Sequence, residues 1–107
     1  MKRIASVIGL AAEHREEYEA YHAAVWPEVL QTISDCNIRN YSIFRYGDLL
    51  FSYFEYVGDD YDADMAKMAA DPATQKWWSV QEPLQTRLPG TPEEEQWLPI
   101  AEVFHHD

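Results

Sequence analysis

Ile38-Arg39-Asn40-Tyr41-Ser42-Ile43-Phe44-Arg45-Tyr46 is followed by Gly47-Asp48 and then by Leu49-Leu50-Phe51-Ser52-Tyr53-Phe54-Glu55-Tyr56-Val57. Both runs are rich in β-branched and aromatic side chains, which suit a pleated, half-buried surface. A two-residue break containing glycine between two such runs predicts a β-hairpin. Side chains alternate across a strand. In the first run Tyr41, Ile43 and Arg45 alternate with Asn40, Ser42, Phe44 and Tyr46. In the second, Leu49, Phe51, Tyr53 and Glu55 alternate with Leu50, Ser52, Phe54 and Tyr56. Both sets carry aromatics, so alternation alone does not choose the buried face. Two covered faces, one under helices and one against a partner subunit, account for the pattern.

Working outward from the hairpin completes the fold. Residues 2–10, with Ile4, Val7, Ile8 and Leu10, predict a first strand. Residues 13–35 predict a helix, because Tyr18, Tyr21, His22, Val25, Val29, Leu30 and Ile33 recur at helical spacing. Pro27 interrupts it. A proline inside a helix costs about 3 kcal/mol, but little at the first turn of a new one. A kink or break is therefore expected near Trp26, with His22 in the last turns of the first piece. Downstream, residues 59–71 predict a helix with Met65, Met68 and Ala69 turned to the core. Asp71-Pro72 starts another that runs through Trp77 and Trp78 and stops before Pro83. Residues 84–99 hold Pro89, Gly90, Pro92 and Pro99 and read as a long loop of the kind that is often functional. Residues 100–104 read as the last strand. The order β-α-β-β-α-β is the ferredoxin-like α+β arrangement in a single domain, 1–107.

The balance of charge narrows the ligand. With 19 acidic and 8 basic residues the formal net charge is −11. Nucleic acid and anionic membrane surfaces need clustered cations, so neither is an expected partner, and a small neutral molecule fits best. Cys36 is the single cysteine and cannot form an internal disulfide. It reads as a buried or incidental thiol rather than a nucleophile, since no catalytic signature surrounds it, and nothing points to an oxidising compartment. Lys2-Arg3 ahead of the apolar residues 4–12 has the outline of a signal peptide. That run is short, holds Ser6 and Gly9, and leads straight into charged residues, so it is read as the first strand and a cytoplasmic location is expected. No segment approaches the ~18 apolar residues of a membrane span.

Tyr18 and His22 stand four apart, so on a helix the phenol and imidazole share one face. An imidazole exchanges a proton near neutral pH. A lone histidine on an apolar face is more often a satisfied core residue. Tyr18 beside it and Trp26 one turn on weigh against that, since buried phenol, imidazole and indole groups each need partners. Trp77 and Trp78 are adjacent, so one can pack inward while the other reaches a pocket. His105-His106 would face opposite sides of a strand and could not share a metal. No glycine-rich phosphate loop, Gly-x-Ser-x-Gly or dinucleotide fingerprint occurs, so no cofactor and no metal are expected.

At these residues the chain resembles the L-rhamnose mutarotase family. The matching pieces are Glu17-Tyr18 followed by His22, Val25-Trp26-Pro27-Glu28, Asn40-Tyr41-Ser42-Ile43, Lys76-Trp77-Trp78 and the closing Glu102-Val103-Phe104. They occur in family order over nearly the whole length. The resemblance implies a homodimeric α/β-barrel built from ferredoxin-like subunits. It implies His22 as the acid/base residue, and Tyr18, Tyr41, Trp77 and Trp78 around the sugar. The expected activity is exchange of the α and β anomers of a 6-deoxy-L-hexopyranose, L-rhamnose first and L-fucose as the alternative. Ala23-Ala24 after the histidine, a shorter hairpin turn and the loop before Trp97 depart from the family pattern. The rival class is a dimeric α/β-barrel monooxygenase or binding domain, which the strand order alone would equally serve.

Overall fold

A computed structural model describes residues 1–107. Gly47 turns the hairpin at φ 56°, in the left-handed region that glycine enters freely. It joins β2 (Ile38–Tyr46) to β3 (Leu49–Tyr56). The pairing slips between Arg39, opposite Glu55, and Ser42, opposite Tyr53. Asn40 sits in this slip at φ 52°. The extra residue inverts the alternation of β2. Ile38 faces the helices before the slip, and Tyr41, Ile43 and Arg45 take that face after it.

β1 (Lys2–Leu10) lies antiparallel to β3, with Ile4, Ser6 and Ile8 opposite Phe54, Ser52 and Leu50. β4 (Gln85–Thr86) and β5 (Leu98–Ile100) divide the other edge of β1. β4 pairs with Gly9 and Leu10, and β5 with Ala5, Ser6 and Val7. The order β2-β3-β1-β4 is that of the ferredoxin-like sheet. A Cβ on Gly9 would sit 2.8 Å from the carbonyl oxygen of Thr86, so glycine is what lets β4 approach.

The last strand is corrected by this arrangement. It was expected over residues 100–104. Pairing instead covers Gln85–Thr86 and Leu98–Ile100, and residues 101–107 pair with no strand of the subunit. Residues 84–99 are not wholly loop, because they begin and end on β1. The intervening turns fold back through Arg87, which donates to the carbonyls of Pro92 at 2.7 Å and Glu95 at 3.1 Å.

The helices cover one face. α1 (Arg15–His22) follows a single 3₁₀ turn and ends at His22. Trp26 is extended, at φ −60° and ψ 133°, and Pro27 opens α2 (Pro27–Asp35). The break falls where a residue preceding proline is steered out of the helical region. Asp60 caps α3 (Tyr61–Ala70) by accepting from the Ala63 amide. Asp71 caps α4 (Pro72–Gln81) by accepting from the Thr74 amide. Ile8, Leu10, Tyr18, Leu50 and Leu84 form one core cluster, and Cys36, Ile38 and Met68 a second. The Cys36 thiol is fully buried, and burial pushes its pKa up. No helix is long and apolar enough to cross a membrane.

On the opposite face the sheet is unevenly covered. Val7 and Phe51 lie opposite each other, and Phe51 lies opposite Phe44. Phe44 is 63 % exposed and Tyr46 71 %. Val103 and Phe104, in the unpaired tail, are also exposed. Arg3 holds the tail through Glu102 at 2.7 Å.

Candidate active site

The site begins where α1 stops. Tyr18 is buried on the sheet-facing side of α1, and His22 comes one turn later. Their rings stack at 4.0 Å between centroids, tilted by 22°. The Nδ1 of His22 lies 2.8 Å from the carbonyl oxygen of Tyr18. A carbonyl only accepts, so Nδ1 carries the proton and donates. The neutral ring then presents Nε2 as a lone pair. Burial lowers the His22 pKa, outweighing the pull of that carbonyl in the other direction. Burial raises that of Tyr18, so its phenol stays protonated. The pair is therefore a neutral base beside a neutral hydroxyl.

Trp77 organises the other side. Its indole stands edge-on to Trp26 at 4.9 Å, His22 at 5.3 Å and Tyr21 at 6.0 Å. The capped start of α4 sets this position, with Thr74, Trp77 and Gln81 as the helix's buried face. Trp77 is 7 % exposed and Trp78 39 %, the division that adjacent helical residues predict.

Two separate cavities are lined by residues of this cluster and its neighbours. The larger, about 920 Å³, lies between sheet and helices, and Tyr41, Trp77 and Trp78 are in its wall with Ser52, Gln85 and Trp97. The smaller, about 350 Å³, is lined by Tyr18, His22, Ile43, Arg45 and Leu50, among others. Both fall within the ~300–1,000 Å³ usual for small-molecule sites. The five expected residues thus divide. Tyr18 and His22 flank the smaller space and Tyr41, Trp77 and Trp78 the larger, with the Trp77 and His22 rings edge-on at 5.3 Å between the two sets. Arg45 bonds to Glu19 at 2.7 Å across the smaller one. No group of three or more His, Cys, Asp or Glu side chains stands in metal-binding proximity.

Several lining residues were not expected from sequence. Ser6, Ser52, Gln85 and Gln96 all line the larger cavity. Single small polar residues in strands carry no signal that marks them. Glu93, Glu94, Glu95 and Trp97 also border it.

Fold and cavities together define a ferredoxin-like domain with an aromatic, partly enclosed small-molecule site. The model of the L-rhamnose mutarotase family matches residues 3–106, and the chain belongs to that family. It is 35 % identical to an L-rhamnose mutarotase of Phocaeicola vulgatus, with all of both chains covered. It is 37 % identical to an L-fucose mutarotase of Xanthomonas campestris pv. campestris, over 82 % of this chain and 73 % of that one. The crystal structure of an L-rhamnose mutarotase from Formosa agariphila is similar with a TM-score of 0.78 and 25 % identity, covering 100 % of both chains.

Proposed function

We propose that this protein exchanges the α and β anomers of a 6-deoxy-L-hexopyranose, L-rhamnose before L-fucose. The observation that carries the reading is the Tyr18–His22 pair, in which Nδ1 is tied to a carbonyl and Nε2 is left as a base. Family membership and the predominance of L-rhamnose mutarotases among the relatives support the same conclusion.

Mutarotation needs only proton transfer. Nε2 of His22 takes the proton from O1. The C1–O5 bond breaks with its electron pair on O5, C1=O1 forms, and the imidazolium gives its proton to O5. The open aldehyde rotates about C1–C2. Reclosure reverses the proton path on the other face of C1. O1 and O5 are both bonded to C1, so one imidazole reaches both. No atom or electron is left over, and the depressed pKa of His22 keeps the ring ready as a base. Such positioned proton transfer contributes typically ~10²–10⁴-fold. Tyr18 steadies a sugar hydroxyl, while Tyr41, Trp77 and Trp78 hold the ring and its C6 methyl.

The reading includes a homodimer in the cytoplasm. The sheet face away from the helices exposes Phe44 and Tyr46, and the tail exposes Val103 and Phe104. A second copy would cover them, and two-fold dimers are the commonest assemblies. Anomer exchange measured by saturation-difference NMR on a panel of monosaccharides tests the activity. Exchange confined to 6-deoxy-L-hexoses supports it, and none of any sugar rejects it.

A further inference from the structure

Ser6 and Ser52 face each other directly across β1 and β3. Their oxygens are 2.6 Å apart. Along the same strands they are flanked by Ile8 and Leu50 on one side and by Ile4 and Phe54 on the other. Ser52 is 6 % exposed, yet both serines line the larger cavity, which Tyr41, Trp77 and Trp78 also wall. A row between two large apolar rows would ordinarily be filled by Val or Ile. Two serines leave more room there and put hydroxyls in the cavity wall on the sheet side.

One hydroxyl donates to the other, and either can be the donor. The accepting serine keeps a free O–H, and both oxygens keep lone pairs. The pair therefore offers a ligand hydroxyl one donor and several acceptors, and it can reverse direction to suit. We propose that Ser6 and Ser52 form a hydroxyl-reading subsite that sets which 6-deoxy-L-hexose the cavity accepts. The inference rests on the mutarotase reading and deepens it. L-rhamnose and L-fucose differ in configuration at C2 and C4. Held by the same aromatic walls, one would present a ring hydroxyl to the serine pair and the other would turn it away. A buried polar pair discriminates strongly in that situation, because a group left without its partner carries the desolvation cost.

The test compares wild type, Ser6→Ala, Ser52→Ala and the double variant on L-rhamnose and L-fucose. NMR supplies kcat and KM for anomer exchange. Tryptophan fluorescence supplies dissociation constants where exchange is too slow to follow. The double variant is expected to change the rhamnose-to-fucose ratio of kcat/KM, or of dissociation constants, by about tenfold or more. The change should lie mainly in KM, because the serine pair holds the ring and not the anomeric centre. Ser52→Cys, close in size but a weaker hydrogen-bonder, should shift the ratio in the same direction and covers the case of a double variant that does not fold. A ratio within twofold of wild type, or an equal loss for both sugars with a lowered melting temperature, would make the pair purely structural and overturn the proposal. A wild type that exchanges neither sugar would overturn the mutarotase reading itself, before any substitution is made.

Discussion

The imidazole of His22 stacks on the ring of Tyr18 at 4.0 Å and is tethered to the carbonyl of that same residue at 2.8 Å. One residue thus fixes both the plane of the base and its tautomer. The tether is backbone, so the Tyr18 side chain can be varied without releasing it. Tyr18→Phe keeps stack and tether and should lower kcat modestly, by losing one hydroxyl contact. Tyr18→Ala removes the stack and a buried ring, and should lower kcat and cost roughly 3–5 kcal/mol of stability, seen as a lowered melting temperature. Steady-state NMR kinetics with thermal melts separate the two.

The pH dependence follows from the direction of the His22 shift. Its folded pKa lies below the ordinary value of about 6.5. The active base form should therefore persist below 6.5, with the acid limb of kcat/KM centred lower than a free imidazole. The stability consequence has a definite sign. The unfolded chain binds the proton first as pH falls, so the contribution is complete above about 6.5 and is lost as pH drops through the folded pKa. His22→Gln should flatten that part of the melting-temperature profile. A wild-type acid limb centred above 6.5 would contradict the burial of the ring.

Trp77 and Trp78 should behave as different residues. Trp77 is buried and touches Trp26, His22 and Tyr21 edge-on, so Trp77→Ala should cost roughly 3–5 kcal/mol and most of the activity. Trp78 is 39 % exposed in the cavity wall, so Trp78→Ala should raise KM and leave the melt nearly unchanged. Chemical denaturation alongside kinetics checks both, and identical phenotypes would contradict the division.

Arg87 folds residues 87–95 back on themselves by donating to Pro92, Glu95 and Thr91 carbonyls. That segment borders the larger cavity. Arg87→Ala should loosen it, raising KM severalfold with kcat little changed. Hydrogen exchange across residues 87–97 should rise in the same variant; unaltered exchange would show that other contacts hold the loop.

The exposed Phe44 and Tyr46 lead to an expectation about assembly. Phe44→Glu should shift the species seen by light scattering from dimer to monomer. A wild type that is already a monomer at micromolar concentration would contradict the dimer.

Most elements were legible because their signals are local. Pro27, the Asp71 cap and Gly47 act on the backbone beside them, so the helix break, the start of α4 and the hairpin turn fell where the residues put them. Tyr18 and His22 were legible because helical spacing alone brings them together. The buried face of the hairpin was not, because both alternating sets carry aromatics and the slip at Asn40 also reverses the alternation of β2 partway along. The last strand was misplaced for a similar reason. Gln85 and Thr86 carry no strand signal, and their pairing depends on the bare backbone of Gly9, distant in sequence. Ser6 and Ser52 become notable only when the register sets them opposite each other.

The most direct measurement is saturation-difference NMR on equilibrated L-rhamnose with wild type, His22→Ala and buffer alone. Exchange between the anomers should be well above buffer with wild type. It should fall by ~10²–10⁴-fold in the variant, with the melting temperature little changed. Exchange by His22→Ala near the wild-type rate would contradict the central role of this imidazole.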